Sequence, residues 1–230
     1  MRGVLLRTQR KVCCGMAPDL LRAIQNGRTD QVIRHLDAGG DPAHVDVEGL
    51  SLLQWCAYHG DATAVRALIG AGAPVTQLGD NLDLNGAVFH GHVGLVDCLI
   101  ELGADVNHPL AGTGETPLHA ALCKSGDGRF DTIVKRLVAA GADPNCATYP
   151  GVATEAFMRD VRTRGETPLH RAAAFGSASV IQVLVAAGAR LDFRDANGDS
   201  PLGWASWHLR PRSILRLLCF PPFQVREGPE

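Results

Sequence analysis

Charge of one sign, aromatic residues, patterned cysteines and long apolar runs are all scarce in this chain. Of 230 residues, 22 are Lys or Arg and 24 are Asp or Glu, which leaves a net charge of −2. That balance gives no electrostatic reason to expect a nucleic-acid partner, and no block of like charge suggests a membrane-binding patch. No apolar stretch approaches the roughly 18 residues of a membrane span, so the chain reads as soluble. Seven cysteines are scattered with no C-x-x-C spacing, and only Cys13 and Cys14 lie close together. Such a set favours a reducing compartment, so a cytoplasmic location is expected, with the nucleus as the alternative. Also absent are G-x-S-x-G, a glycine-rich phosphate loop and H-E-x-x-H, and neither catalysis nor a cofactor is expected.

What the chain does contain is self-similarity. "GETPLH" occurs at Gly114 to His119 and again at Gly165 to His170, 51 residues apart. A glycine follows each helix-start position by 21 residues, as from Ser51 to Gly72, Leu82 to Gly103 and Thr167 to Gly188. Six units result, at about 18–47, 48–79, 80–111, 112–163, 164–196 and 197–221, each with two short helical patterns. Thr167 is placed to cap a helix whose first residue is Pro168, because a hydroxyl accepts an orphan N–H and proline's fixed φ suits that position. Apolar spacing marks Val180 to Val185 as the second helix, and Gly188 ends it.

Residues 1–17 carry Arg2, Arg7, Arg10 and Lys11 with no acid. They are expected to be a disordered basic extension, with a mitochondrial presequence as the alternative. Residues 222–230 form a short tail.

On Gly114 to Ala121, Gly165 to Ala173 and the hairpin boxes Gly103 to Asn107 and Gly141 to Asn145, residues 18–221 resemble the ankyrin-repeat family. The resemblance implies an all-α solenoid of about six helix-turn-helix units joined by hairpins, monomeric and non-catalytic, binding a protein or peptide partner on its concave face. The departures lie at the ends and in the third unit, where Leu82-Asp83-Leu84-Asn85 replaces the Thr-Pro-Leu-His box and the preceding hairpin is two residues short. A blunt hairpin tip is expected there.

In that architecture the ends of the first helices and the hairpin tips line the concave face. The helix-end positions are Tyr58 with His59, Phe89 with His90, Lys124, Phe175, and Trp207 with His208. Four large rings at one position among only 12 aromatics suggest binding anchors; the alternative is that they pack on the next helix. From the hairpins the same face would receive Glu48, Asn81, Glu115, Arg164, Glu166 and Asp199. Trp55 and Trp204 are expected in the core, and His119 and His170 in structural hydrogen bonds at helix starts. The histidines present no third or fourth ligand for a metal ion, so none is expected. The resemblance also marks Asn107 and Asn145 as candidates for hydroxylation.

The 51-residue interval holds 18 residues beyond a 33-residue repeat. Thr116 to Gly141 has four too many, which lie around residues 124–129, and Gly141 to Gly165 has fourteen too many. The longer insert, within 146–163, carries Tyr149, Phe157, Met158 and Val161 and is too apolar for a solvated loop. A short helix starting at Thr154 is expected. The finger either extends the binding edge, with Phe157 and Met158 contributing, or plugs the repeat junction. An adaptor or regulatory subunit serving another enzyme is the alternative function.

Overall fold

A computed structural model describes residues 18–123, 127–154 and 162–224. Among the described residues twelve short α-helices follow one another in pairs: α1 Pro18–Gln25 with α2 Asp30–Asp37, α3 Leu52–Tyr58 with α4 Ala62–Gly70, and α5 Leu84–His90 with α6 Val93–Glu101. The second half repeats the plan with α7 Pro117–Ala121 and α8 Gly128–Ala139, α9 Pro168–Phe175 and α10 Ala178–Ala186, and α11 Pro201–Trp207 and α12 Arg212–Leu217. Among the described residues there is no strand beyond two isolated antiparallel bridges, Val45 with Ser51 and Ala153 with Arg162. None of the described helices is long and apolar enough to cross a membrane.

Each helix is too short to be stable alone, so packing between neighbours must hold it. One continuous apolar core runs from Ile24 in α1 through Leu52, Val88, Leu118 and Leu169 to Leu218 beyond α12. The starts of α3, α7, α9 and α11 are capped as their sequences imply. Ser51 and Gln54 satisfy each other's backbone N–H at the start of α3. In α7 and α9 histidine takes that reciprocal role. His119 Nδ1 accepts from the Thr116 N–H at 3.1 Å, and His170 Nδ1 accepts from the Thr167 N–H at 3.2 Å. The opposite ring nitrogens then donate to the carbonyls of Glu166 and Asp199 in the following hairpins, at 3.2 and 3.1 Å. Each ring therefore ties a helix start to the next unit. Only the neutral ring, with its proton on Nε2, can make both bonds.

The third unit departs from the others as expected, and by more. Two 3-10 turns, Val75–Leu78 and Asp80–Asp83, stand where the other units have a hairpin. Asn81, Leu82 and Asp83 run left-handed in succession, with φ of 45°, 54° and 55°. The helix starts at Leu84, so Asp83 and not Leu82 holds the capping position. A connection two residues short cannot form the usual turn, and the tight left-handed run closes the gap.

Candidate protein-binding surface

The helix-end positions divide into two kinds. Tyr58 is 59% exposed and Trp207 78% exposed, whereas Phe89 and Phe175 are half-buried. Phe175 meets the ring of His208 edge-on at 4.7 Å, and Tyr58 meets His90 at 5.8 Å. Each ring thus touches the histidine at the same position of the next unit. His59 is half-buried and bonds through Nε2 to the Gln25 carbonyl at 3.2 Å. His92, one turn residue beyond His90, does the same to Tyr58 at 3.1 Å. Gly91 between them adopts φ 76°, so His90-Gly91-His92 is an inter-helix turn. Burial lowers the pKa of His208, and the positive charges of Arg210 and Arg164 lower it further. Among the described residues no three His, Cys, Asp or Glu side chains lie together as metal ligands. Lys124, Phe157 and Met158 fall outside the described residues, as do Val161 and the short helix expected after Thr154.

The hairpin contributions need correction. Glu48 and Arg164 are exposed and Asp199 is half-buried, but Glu115 and Glu166 are 3% and 2% exposed and do not belong to the rim. Both face Arg171, which sits in the middle of α9 with no exposed surface. Arg171 Nη2 lies 2.7 Å from Glu115 Oε1 and 2.6 Å from Glu166 Oε1, while Nη1 donates to the His119 carbonyl at 3.2 Å. Two threonines of the inserted finger complete the cage. Thr154 donates its hydroxyl to Glu115 at 3.0 Å and Thr148 to Glu166 Oε2 at 2.8 Å. The physical reason is desolvation: a guanidinium without water needs carboxylates around it, and their remaining lone pairs need donors. Burial by itself would raise the Glu166 carboxyl, but the Arg171 charge and the Arg164 N–H hold it below its ordinary value. Burial, followed by the Arg171 charge, pushes the His119 imidazole down to about 3, consistent with its neutral bonding.

Arg171 is the fourth residue of its helix, and the fourth residues of α3 and α11 are Trp55 and Trp204. These tryptophans reach back beneath their hairpins in the same way. Trp55 Nε1 donates to Asp46 Oδ2 and Trp204 Nε1 to Asp195 Oδ2, both at 3.0 Å. The other oxygen of each aspartate accepts two backbone N–H groups of the hairpin. Trp204 is buried as expected, but Trp55 is only half-buried beside its exposed neighbour Tyr58. Sequence reading missed the pairing, although the shared pattern Asp-x-x-Gly-x-Ser-x-x-x-Trp at Asp46 to Trp55 and Asp195 to Trp204 carries it.

Asparagines tie the hairpins together. Asn107 accepts from the Asp143 N–H at 2.7 Å and donates to the Gly141 carbonyl at 3.0 Å; Asn145 does the same with Arg190 and Gly188, at 2.9 and 3.0 Å. Asn81 bonds both backbone groups of Asp105, at 2.7 and 2.9 Å. Its carboxamide is therefore taken up in stacking and is not free for a partner as expected.

The described part of the finger runs along this edge. Tyr149 N–H bonds to Thr113, Thr148 N–H to Glu166, and Ala196 N–H to Arg164, at 2.8, 3.0 and 2.7 Å. These bonds join the hairpins of units four, five and six. Gly114 allows the approach: at φ 71°, a Cβ there would stand 3.0 Å from the Tyr149 ring. The described part of the finger therefore lies beside neighbouring hairpins and is also rooted in the buried cage.

Paired helices stacked about a continuous core, with hairpins bonded edge to edge, define a repeat solenoid of the protein-interaction type. The family profile for "Ankyrin repeats (3 copies)" matches residues 20–109 and 152–226, and that for "Ankyrin repeat" matches residues 113–149. The chain belongs to the ankyrin-repeat family. It is 29% identical over 209 residues to the mouse protein "Palmitoyltransferase ZDHHC13", covering 81% of this chain and 33% of that protein. The human protein of the same name is 28% identical over the same shares. "Palmitoyltransferase ZDHHC17" of Danio rerio is 34% identical over 90 residues, covering 38% of this chain and 14% of that protein. The chain spans about a third of the length of the ZDHHC13 relatives.

Proposed function

We propose that the chain is a non-catalytic recognition module that holds a protein or peptide partner on its concave face, as a monomer in the cytosol or nucleus. The observation that carries this reading is the exposure of Tyr58 and Trp207, two large rings at matching helix-end positions of units two and six. Exposed aromatic side chains on a preformed surface are the usual anchors of an interface, because they bury much area with little loss of rotamer freedom. His90, His208, Glu48, Arg164 and Asp199 would supply the polar rim around them. Affinity purification of the intact chain beside Tyr58→Ala and Trp207→Ala variants tests the reading. A partner retained by the parent and lost from both variants is expected. Equal retention by all three contradicts it.

The similarity to palmitoyltransferases supports a second, narrower reading. There the repeats recruit a protein substrate to a palmitoyl-transferring enzyme and take no part in the transfer. Under that reading, a partner captured through Trp207 would itself be palmitoylated, and metabolic labelling with an alkynyl fatty acid would detect it. Captured partners that carry no acyl group would sink the narrower reading and leave the first standing.

A further inference from the structure

We propose that the cleft between the base of the inserted finger and the hairpin of the last unit binds an acidic side chain of an extended peptide, with Arg162 and Arg164 as its recognising groups. The cleft measures about 420 Å³ and is lined by Pro150, Gly151, Arg162 and Thr163 on one side and by Arg164, Ala196 and Asn197 on the other. It accommodates side chains and not a folded domain, and it is open to solvent, so a peptide can enter and leave it as a continuous strand.

Its chemistry is one-sided. Among the described residues two arginines line the cleft and no acid does. Among the described residues neither arginine is paired with a carboxylate side chain. Of the described acids nearby, Glu166 and Asp195 are already engaged. Glu166 turns both oxygens inward, to Arg171, Thr148 and the Arg164 N–H. Asp195 is saturated by the backbone of Asn197 and Asp199 and by the Trp204 indole. Asp199 lies over the start of α11, with Oδ1 3.4 Å from where a Cβ on Gly203 would be.

The arginines are also held in place. The Arg164 backbone is fixed at both ends, its N–H on Glu166 at 2.6 Å and its carbonyl accepting from Ala196 at 2.7 Å. Its guanidinium stands 5.9 Å from the centroid of the Trp204 ring, which the Asp195 bond keeps from turning. Arg162 Nη1 donates to the Gly151 carbonyl at 2.6 Å, which directs that side chain along the cleft and leaves its remaining N–H groups unspent. A guanidinium so restrained loses less rotamer freedom on binding, and its planar fork matches a carboxylate. The exposed Asn197 carboxamide adds one more donor at the edge.

This inference rests on the reading of the concave face as a protein-binding surface and specifies the partner's chemistry at one end of it. The test is selection of phage-displayed random octapeptides against the full chain and against the Arg162→Gln, Arg164→Gln double variant. Both side chains are exposed, so the variant should melt with the parent. Peptides enriched on the parent should share an Asp or Glu at a fixed position, and selection on the variant should lose it. By fluorescence polarisation, changing that acid to its amide should weaken binding to the parent about fivefold to tenfold and leave binding to the variant unchanged. Enriched peptides with no acidic preference, or a preference that survives in the variant, would overturn the inference while leaving the recognition function intact. Failure of the parent to enrich any peptide would overturn both for peptide partners.

Discussion

Replacing Arg171 with methionine removes a charge that no part of the surface reveals. The side chain has no exposed area and lies between Glu115 and Glu166, themselves almost fully buried. Among the described residues the two carboxylates of the variant keep as donors the hydroxyls of Thr154 and Thr148 and the Arg164 N–H. Stranding buried charge in this way costs about 3–5 kcal/mol, a large part of the roughly 5–15 kcal/mol that holds a domain folded. Because each unit touches only its neighbours, the loss should fall on the junction of units four and five. Urea unfolding followed by circular dichroism measures the total, and hydrogen exchange of the α9 amides locates it. The triple variant Arg171→Met, Glu115→Gln, Glu166→Gln carries no stranded charge and should recover to within about 1–2 kcal/mol of the parent. A single variant that loses less than about 1 kcal/mol, or a triple variant no better than the single, would refute the argument.

Acid should weaken the fold through His119. Its folded pKa of about 3 lies below the ordinary 6.5, so the stability tied to the neutral ring is complete above pH 6.5 and is lost as the pH falls toward 3. Between pH 7 and pH 5 this amounts to about 2 kcal/mol, and a denaturation midpoint unchanged over that interval contradicts the assignment. Asn107 and Asn145 are proposed hydroxylation sites whose carboxamides bridge successive hairpins; peptide mass spectrometry from oxygenated cells should find one of them carrying an added oxygen. Both wholly unmodified would dismiss the proposal.

Repetition made the architecture legible before any coordinates. Helix starts such as Thr167-Pro168 and stops such as Gly188 depend on local backbone chemistry, which leaves a mark within a few residues. The surface was harder to read. Tyr58 and Trp207, each the seventh residue of its helix, are exposed, whereas Phe89, the sixth of α5, and Phe175, the eighth of α9, are half-buried, because one residue turns a side chain by about 100° around the helix. Glu115 and Glu166 follow the turn glycine in their boxes and looked like rim residues. Only the position of Arg171 at the fourth residue of α9, where α7 has Ala120, turns them inward. The long insert was visible as surplus length, yet its anchoring through Thr148 and Thr154 spans 18 and 39 residues to the carboxylates and leaves no local trace.

The claim that the concave face is the recognition surface meets its most direct test in titration calorimetry of the captured partner against three proteins. These are the parent chain, Trp207→Ala and, on the opposite row of helices, Gln182→Ala, whose side chain is exposed on α10. Binding should weaken by about 1–3 kcal/mol for Trp207→Ala and stay within about 0.5 kcal/mol of the parent for Gln182→Ala, with all three proteins melting together. Weakened binding by Gln182→Ala with parental affinity in Trp207→Ala would place the partner on the convex side and contradict the account.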